Sequence, residues 1–297
     1  KADVVVVGSY VPDGKEIADW VHAIAEGLAA FYDIDTPITL ARLASSDCPY
    51  LAAEQVSRYG LYLSFTGGPT LDVLERHLGS PCARPLYCSV DADVYRPEPA
   101  PLRWDLGYLG TYSADRQPAL ARLLLRPADL CPERPFIVAG PQYHRAIGWP
   151  GNVERVTHLA PAEHRAFYNA QRFTLNVTRR AMVEAGWSPS VRLFEAAACG
   201  TPILSDRWPG IESVLQPGRE ILVADDARAA LRVLRETSEH ERLALGQAAR
   251  LRILAEHTSM HRAETLERYT RDLLERQARR SRLVTKHRLP ETAKVNP

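Results

Sequence analysis

The run Ser188-Pro-Ser-Val-Arg-Leu-Phe-Glu195-Ala-Ala-Ala-Cys-Gly200-Thr-Pro-Ile-Leu-Ser-Asp206 concentrates the chemistry of this chain. Ser188 suits an N-cap and Pro189 a first helical position, so the spacing predicts a short helix that runs through Glu195 and stops at Gly200. At such a start the N–H groups of Ser190 and Val191 have no partner within the helix. The macrodipole adds positive potential there, and the two together favour a phosphate-like anion. Glu195, about two turns further in, could bind a neighbouring hydroxyl. Thr201 to Asp206 reads as a buried strand, so the unit is helix then strand, as in an open α/β sheet whose ligand lies at the strand ends.

The elements that must position this unit are legible as short apolar runs: Val4 to Val7, Leu61 to Phe65, Leu86 to Val90, Leu106 to Leu109, Phe136 to Ala139, Phe173 to Thr178, Pro202 to Ser205 and Ile221 to Ala224. Helix-period segments separate them. Ile17, Val21, Ile24, Ala25, Leu28 and Phe31 fall on one helical face, with Asp13 as the cap. This alternation predicts parallel sheets with crossover helices. Arg96-Pro-Glu-Pro-Ala-Pro101 disfavours helix and interior strand alike, and it places a domain boundary near residue 100. The predicted organisation is therefore a first Rossmann-like domain over 1–100, a second over 101–260, and a closing helix with a basic tail over 261–297. In the last segment Leu266, Tyr269, Leu273 and Leu274 recur at helical spacing.

Composition excludes several classes. The 297 residues carry a net charge of +1, so no overall field recruits nucleic acid. Five cysteines, Cys48, Cys82, Cys88, Cys131 and Cys199, are odd in number and contain no C-x-x-C, which argues against a disulfide framework and a zinc site and favours a reducing cytoplasm. No apolar run approaches the length of about 18 residues that a membrane helix needs.

The segment around Glu195 resembles the donor-site signature of GT-B glycosyltransferases, in which a Glu ahead of a small-residue "EAxAxG(T/K)P" run holds the ribose of a nucleotide sugar. Leu86-Tyr-Cys-Ser-Val-Asp91 through Tyr95-Arg-Pro97 is similar to the inter-domain "NGVD…F.P" segment of the group 1 enzymes. Leu106-Gly-Tyr-Leu-Gly110-Thr-Tyr-Ser-Ala-Asp-Arg116 is similar to their "FVGR…EKG" loop, and Val156 to His164 through Phe167-Tyr168 to their "V.FLG.v…eL..lY" step. Within the superfamily the likeness is greatest to the CgeB-like (spore maturation protein) group.

The resemblance implies a GT-B fold of two Rossmann-like domains and transfer of a glycosyl group from a nucleoside diphosphate sugar, with retention if the group 1 likeness extends to stereochemistry. It implies no resident cofactor or metal. Arg116 falls where related enzymes place a Lys against the donor diphosphate, and Gly110 allows close approach of backbone to ligand. The companion Arg of those enzymes is replaced by Thr111, and either Arg179 or Arg192 could supply the missing charge. Ser188, Ser190, Val191 and Glu195 complete the expected donor site. Asp33-Ile-Asp35 resembles the metal-binding D-x-D of another glycosyltransferase fold. Here it is expected to follow a strand ending in the cleft, where Asp33 or Asp35 would act near the reacting sugar, the alternative being a plain turn before Pro37.

Phe65-Thr66-Gly67-Gly68-Pro69, leading into a helix capped at Thr70 and stopped at Gly79, either lines the acceptor side or is only a tight turn. Two departures from the family pattern stand out. The earlier Glu of the group 1 signature is Trp187 here, and relatives open with a βα unit bearing a Gly-rich loop whereas this sequence starts at what reads as a later strand, so the first domain is expected to be incomplete. A nucleotide-sugar epimerase of the same fold and an inactive nucleotide-sugar-binding or scaffold protein are the alternative readings.

Overall fold

The computed structural model describes residues 1–287, so the end of the basic tail, 288–297, lies outside the described residues. Among the described residues ten strands form two parallel sheets. β1 (Val4–Gly8), β2 (Leu28–Asp33), β3 (Leu61–Ser64) and β4 (Ala83–Pro85) make a four-stranded sheet in that order. β5 (Trp104–Leu109), β6 (Phe136–Ala139), β7 (Val153–Val156), β8 (Gln171–Asn176), β9 (Ile203–Ser205) and β10 (Leu222–Val223) make a six-stranded sheet ordered β10-β9-β8-β5-β6-β7. The second order is the doubly wound one, in which the chain turns back between β5 and β8 and opens a crevice beyond their carboxyl ends. Both sheets have helices on their faces, as parallel pairing demands.

In the second lobe, Leu106, Phe173 and Leu204 pack with Leu120, Leu123 and Leu124 on one face of the sheet. Ile137 and Ile203 pack with Leu193, Phe194 and Ala197 on the other. The long helix Ser259–His287 leaves the second lobe and returns to the first. Its Leu266, Tyr269, Leu273 and Leu274 cover Leu28, Ala30, Leu61 and Leu63, which points the predicted apolar stripe at the first sheet. No helix among the described residues is long and apolar enough to cross a membrane.

Four local expectations are corrected. The helix over Ile17 to Phe31 ends at Ile24, and Leu28–Asp33 is β2. Leu28 and Ala30 face the closing helix while Phe31 faces the opposite cluster, and a strand buried on both sides has no period to distinguish it from a helix. Asp13 does hold the cap position of that helix, but in left-handed backbone (φ 53°) and without a side-chain cap bond. The strand expected over Leu86 to Val90 lies earlier, at Ala83–Pro85, where Pro85 is tolerated because β4 is an edge. The helix after β3 starts at Pro69 with Gly68 as its cap, since a proline belongs at the first position. The helix expected from Pro189 starts two residues later: it is Val191–Ala198, capped by Ser190, whose Oγ accepts from the Arg192 N–H at 3.3 Å.

Candidate functional site

A cleft of about 190 Å³ opens where the strand ends of the two sheets face each other. From the second lobe come Arg116, Val177 to Arg179 beyond β8, and Ser188 to Val191 at the start of the helix Val191–Ala198. From the first come Ile34 and Asp35 beyond β2 and Phe65 beyond β3. The cleft is thus at the switch point of the six-stranded sheet, where helix amides and strand-end loops converge. A larger groove of about 920 Å³ lies on the flank of the second lobe, between β10 and the helices Ala227–Glu236 and Glu239–Glu256, away from the crevice between β5 and β8.

The cleft is cationic on one wall. Arg116 donates through Nη2 to the Thr111 carbonyl at 2.9 Å, while its Nε is buried with no partner. Arg179 likewise has a buried, unpartnered Nε, and its Nη1 donates to Asp35 Oδ2 at 3.2 Å. The loop that carries Arg179 is fixed from behind by Asp206, whose carboxylate accepts from Thr178 N and Thr178 Oγ1 at 2.9 Å each. Burial pushes the Asp206 carboxyl above its ordinary value, against the lowering by these bonds. In the cleft wall, burial pushes the Cys88 thiol up to about 12, which removes it as a nucleophile.

Arg192 separates from this group. It is 6% exposed, and its guanidinium donates to the Leu109 carbonyl through Nε and Nη2 and to Asn176 Oδ1 through Nη1 at 2.9 Å, over the Tyr108 ring. It ties the ends of β5 and β8 together, so of the two arginines expected to complete the clamp, Arg179 is the one in the cleft. Gly110 lies above this tie. A Cβ there would sit 2.7 Å from Tyr108 Oη, and its carbonyl accepts from the Tyr143 hydroxyl at 3.1 Å.

Glu195 is half-buried about one turn into the helix Val191–Ala198. Its Oε2 accepts from the Tyr168 hydroxyl at 2.9 Å, and burial together with the Glu195 charge pushes both Tyr95 and Tyr168 above the ordinary tyrosine value. Both phenols therefore stay neutral beside Glu195. In the sequence Tyr168 stands out only as part of the Phe167-Tyr168 step. Its tie to Glu195 is carried by spacing across separate elements and leaves no local signal.

The two aspartates expected in the cleft part company. Asp33 is fully buried; its carboxylate accepts from the Tyr62 hydroxyl at 2.7 Å, Thr39 Oγ1 at 2.9 Å and Asp35 N at 3.1 Å. Burial raises its pKa above the ordinary carboxylate value. Asp33 is therefore a support beneath the cleft, which corrects its expected place near a reacting sugar. Asp35 is at the cleft and accepts from the Tyr10 hydroxyl at 2.8 Å as well as from Arg179.

Ser188, expected as a cap, is buried at the contact between the lobes, with Oγ 2.9 Å from Thr66 Oγ1. Trp187 accepts from Gly67 N at 2.9 Å and presses its indole on Gly68 and Gly210. The Gly67-Gly68 turn is thus a docking point for the second lobe.

Among curated proteins none matches this sequence. Among solved structures, the chain is similar to sucrose-phosphate synthase from Thermosynechococcus elongatus, at 14% identity and a TM-score of 0.68 over 91% of this chain and 73% of that one. It is also similar to Anabaena HepE in complex with UDP and glucose, at 11% identity and a TM-score of 0.70 over 90% and 78%. A trehalose-6-phosphate protein of E. coli bound with UDP-2-fluoro glucose superposes at 10% identity and a TM-score of 0.67 over 91% and 74%. At such identities these likenesses establish the fold, which is the two-lobed α/β arrangement of GT-B glycosyltransferases. The model of the glycosyl transferase-like family matches residues 116–268, a stretch that holds Arg116, Arg179 and Glu195 and spans more than half of the sequence, and the chain belongs to that family.

Proposed function

We propose that this protein transfers a glycosyl group from a nucleoside diphosphate sugar to an acceptor hydroxyl, with retention of anomeric configuration. The observation that carries the reading is the convergence of Arg116, Arg179 and the start of the helix Val191–Ala198 on one cleft. In this reading the two guanidiniums and the helix-start amides meet the donor's diphosphate and stabilise the charge that builds on it as the glycosidic bond breaks. Glu195 accepts the ribose hydroxyls beside Tyr95 and Tyr168. The Asp35 side of the cleft faces the sugar and acceptor. No resident metal is invoked, and a reducing, cytoplasmic setting suits five free thiols. The four motif segments support placement near the CgeB-like group.

The test is thermal melting with uridine, guanosine and thymidine diphosphates. Ligand at 100 times its dissociation constant adds about 2.7 kcal/mol to the folded state. At least one diphosphate is expected to raise the melting temperature clearly, and no shift at millimolar concentration with all three would sink the donor site. A second reading, nucleotide-sugar binding without transfer, is favoured by Trp187, since an indole wedged against Gly68 and Gly210 stands where the group 1 signature has a carboxylate. Analysis of products from donor plus acceptor separates the two and also distinguishes an epimerase, which would release an altered nucleotide sugar.

A further inference from the structure

We infer that Asp35 competes with the donor's diphosphate for Arg179, so that nucleotide binding and one contact between the lobes exclude each other at this residue. The inference rests on the donor-site reading above. Arg179 belongs to the second lobe and Asp35 to the first, and their side chains, 38% and 20% exposed, meet across the cleft at 3.2 Å. Asp35 is not free to follow Arg179. Its Oδ2 also accepts from the Tyr10 hydroxyl at 2.8 Å, and Tyr10 is itself packed against Tyr50 and under the Arg42 guanidinium.

The remaining N–H capacity of the cleft suits an anion with several oxygens. Arg179 Nε and Arg116 Nε are both buried without partners, and both side chains line the cleft onto which Ser190 and Val191 open. A guanidinium presents its donors as a planar fork that matches phosphate oxygens. A diphosphate bridging the two arginines would bring its own negative charge against the Asp35 carboxylate. Like charges held this close repel, so engagement of Arg179 by phosphate weakens the Asp35 pair and loosens the lobes there. By linkage the effect is reciprocal: whatever strengthens the Asp35 pair weakens the nucleotide.

The experiment is calorimetric titration of the parent, Asp35→Asn, Arg179→Ala and the double variant. The probes are inorganic pyrophosphate and whichever of uridine, guanosine and thymidine diphosphate stabilises the parent most. Asp35→Asn is expected to tighten diphosphate binding by about two- to fivefold, the size of a partly exposed ion pair. Arg179→Ala is expected to weaken it by about ten- to a hundredfold, the range for a hydrogen bond to a charged group. In the Arg179→Ala background the gain from Asp35→Asn should shrink, which is the coupling a double-mutant cycle reads. A gain in affinity without a gain in melting temperature is something a merely structural Asp35 would not give. If the parent binds and Asp35→Asn binds no more tightly, the competition is wrong while the donor site stands. Parent-like affinity in Arg179→Ala removes Arg179 from the diphosphate altogether. No binding by the parent overturns the donor-site reading and this inference with it.

Discussion

In the proposed reading one carboxylate, that of Glu195, accepts both from a buried tyrosine and from the ribose. Oε2 is held by the buried Tyr168 hydroxyl, and the side chain is half-buried. The two roles separate by substitution. Glu195→Gln keeps an amide oxygen for Tyr168, so stability should stay near that of the parent while nucleotide binding weakens by about 1.5 to 3 kcal/mol, the range for a hydrogen bond to a charged group. Glu195→Ala should lose the same affinity and also about 1 to 3 kcal/mol of stability, because the Tyr168 hydroxyl is left buried without a partner. Calorimetry and urea melts on both variants check this. A Glu195→Gln protein that binds as tightly as the parent would remove the residue from ribose recognition. The same scale explains why Arg192 and Arg179 were interchangeable in the sequence: each stands at an element end, and only their partners differ, Leu109 and Asn176 for one and Asp35 for the other.

Among the elements, the turn between β3 and the helix Pro69–Arg76 decides how the lobes meet. Gly68 has φ 56° and ψ −142°, a conformation that side-chain-bearing residues rarely adopt, and a Cβ there would stand 2.5 Å from Trp187 Cε3. Gly218 also has positive φ (80°), but nothing lies within 4 Å of its would-be Cβ. Backbone strain alone should therefore destabilise Gly218→Ala by about 1 to 2 kcal/mol. Gly68→Ala adds the displaced indole and should cost more, of the order of 3 kcal/mol in total. Urea unfolding of the two variants reads the difference; equal losses would show that Trp187 yields without cost and that the turn is no docking point.

At the scale of the whole molecule, two chain crossings join the lobes among the described residues, and they are tied to each other. Val90 bridges Thr258, Ser259 N donates to the Val90 carbonyl at 3.0 Å, and Arg262 Nε donates to the Tyr87 carbonyl at 3.0 Å. His257 sits in this tie with Nδ1 accepting from Arg262 Nη2 at 2.7 Å, and burial beside that cation lowers its pKa from 6.5 to about 4. The unfolded chain protonates this imidazole below about pH 6.5 whereas the folded chain resists until about pH 4. The neutral form's stabilisation is therefore complete above pH 6.5, declines as pH falls towards 4, and is level below, for a total of up to about 3 kcal/mol. Asp33 and Asp206, raised by burial, act with the opposite sign as they protonate. The informative quantity is thus the difference between the parent and His257→Gln in unfolding free energy from pH 7 to pH 4. The parent should lose stability relative to the variant over that interval, and parallel pH profiles would refute a neutral buried His257.

By itself the sequence determined whatever depends on neighbours within a few residues. Six of the eight apolar runs became β1, β3, β5, β6, β8 and β9, and Ile221 to Ala224 contains the short β10, because each run is bounded by breakers and buries locally apolar side chains. The helix before β9 was legible for the same reason: Ser190 can cap it and Gly200, at φ 74°, can end it. Its start was misplaced by two residues since Ser188 and Ser190 are equivalent caps until Thr66, far away in the chain, takes the Ser188 hydroxyl. β2 was missed because both its faces are covered. The separation of Asp33 from Asp35, the placing of Arg179 rather than Arg192 in the cleft and the pairing of Trp187 with Gly68 are decided only by tertiary structure. Each depends on a partner supplied by another element or by the other lobe, and the identity of such a partner leaves no trace in local spacing.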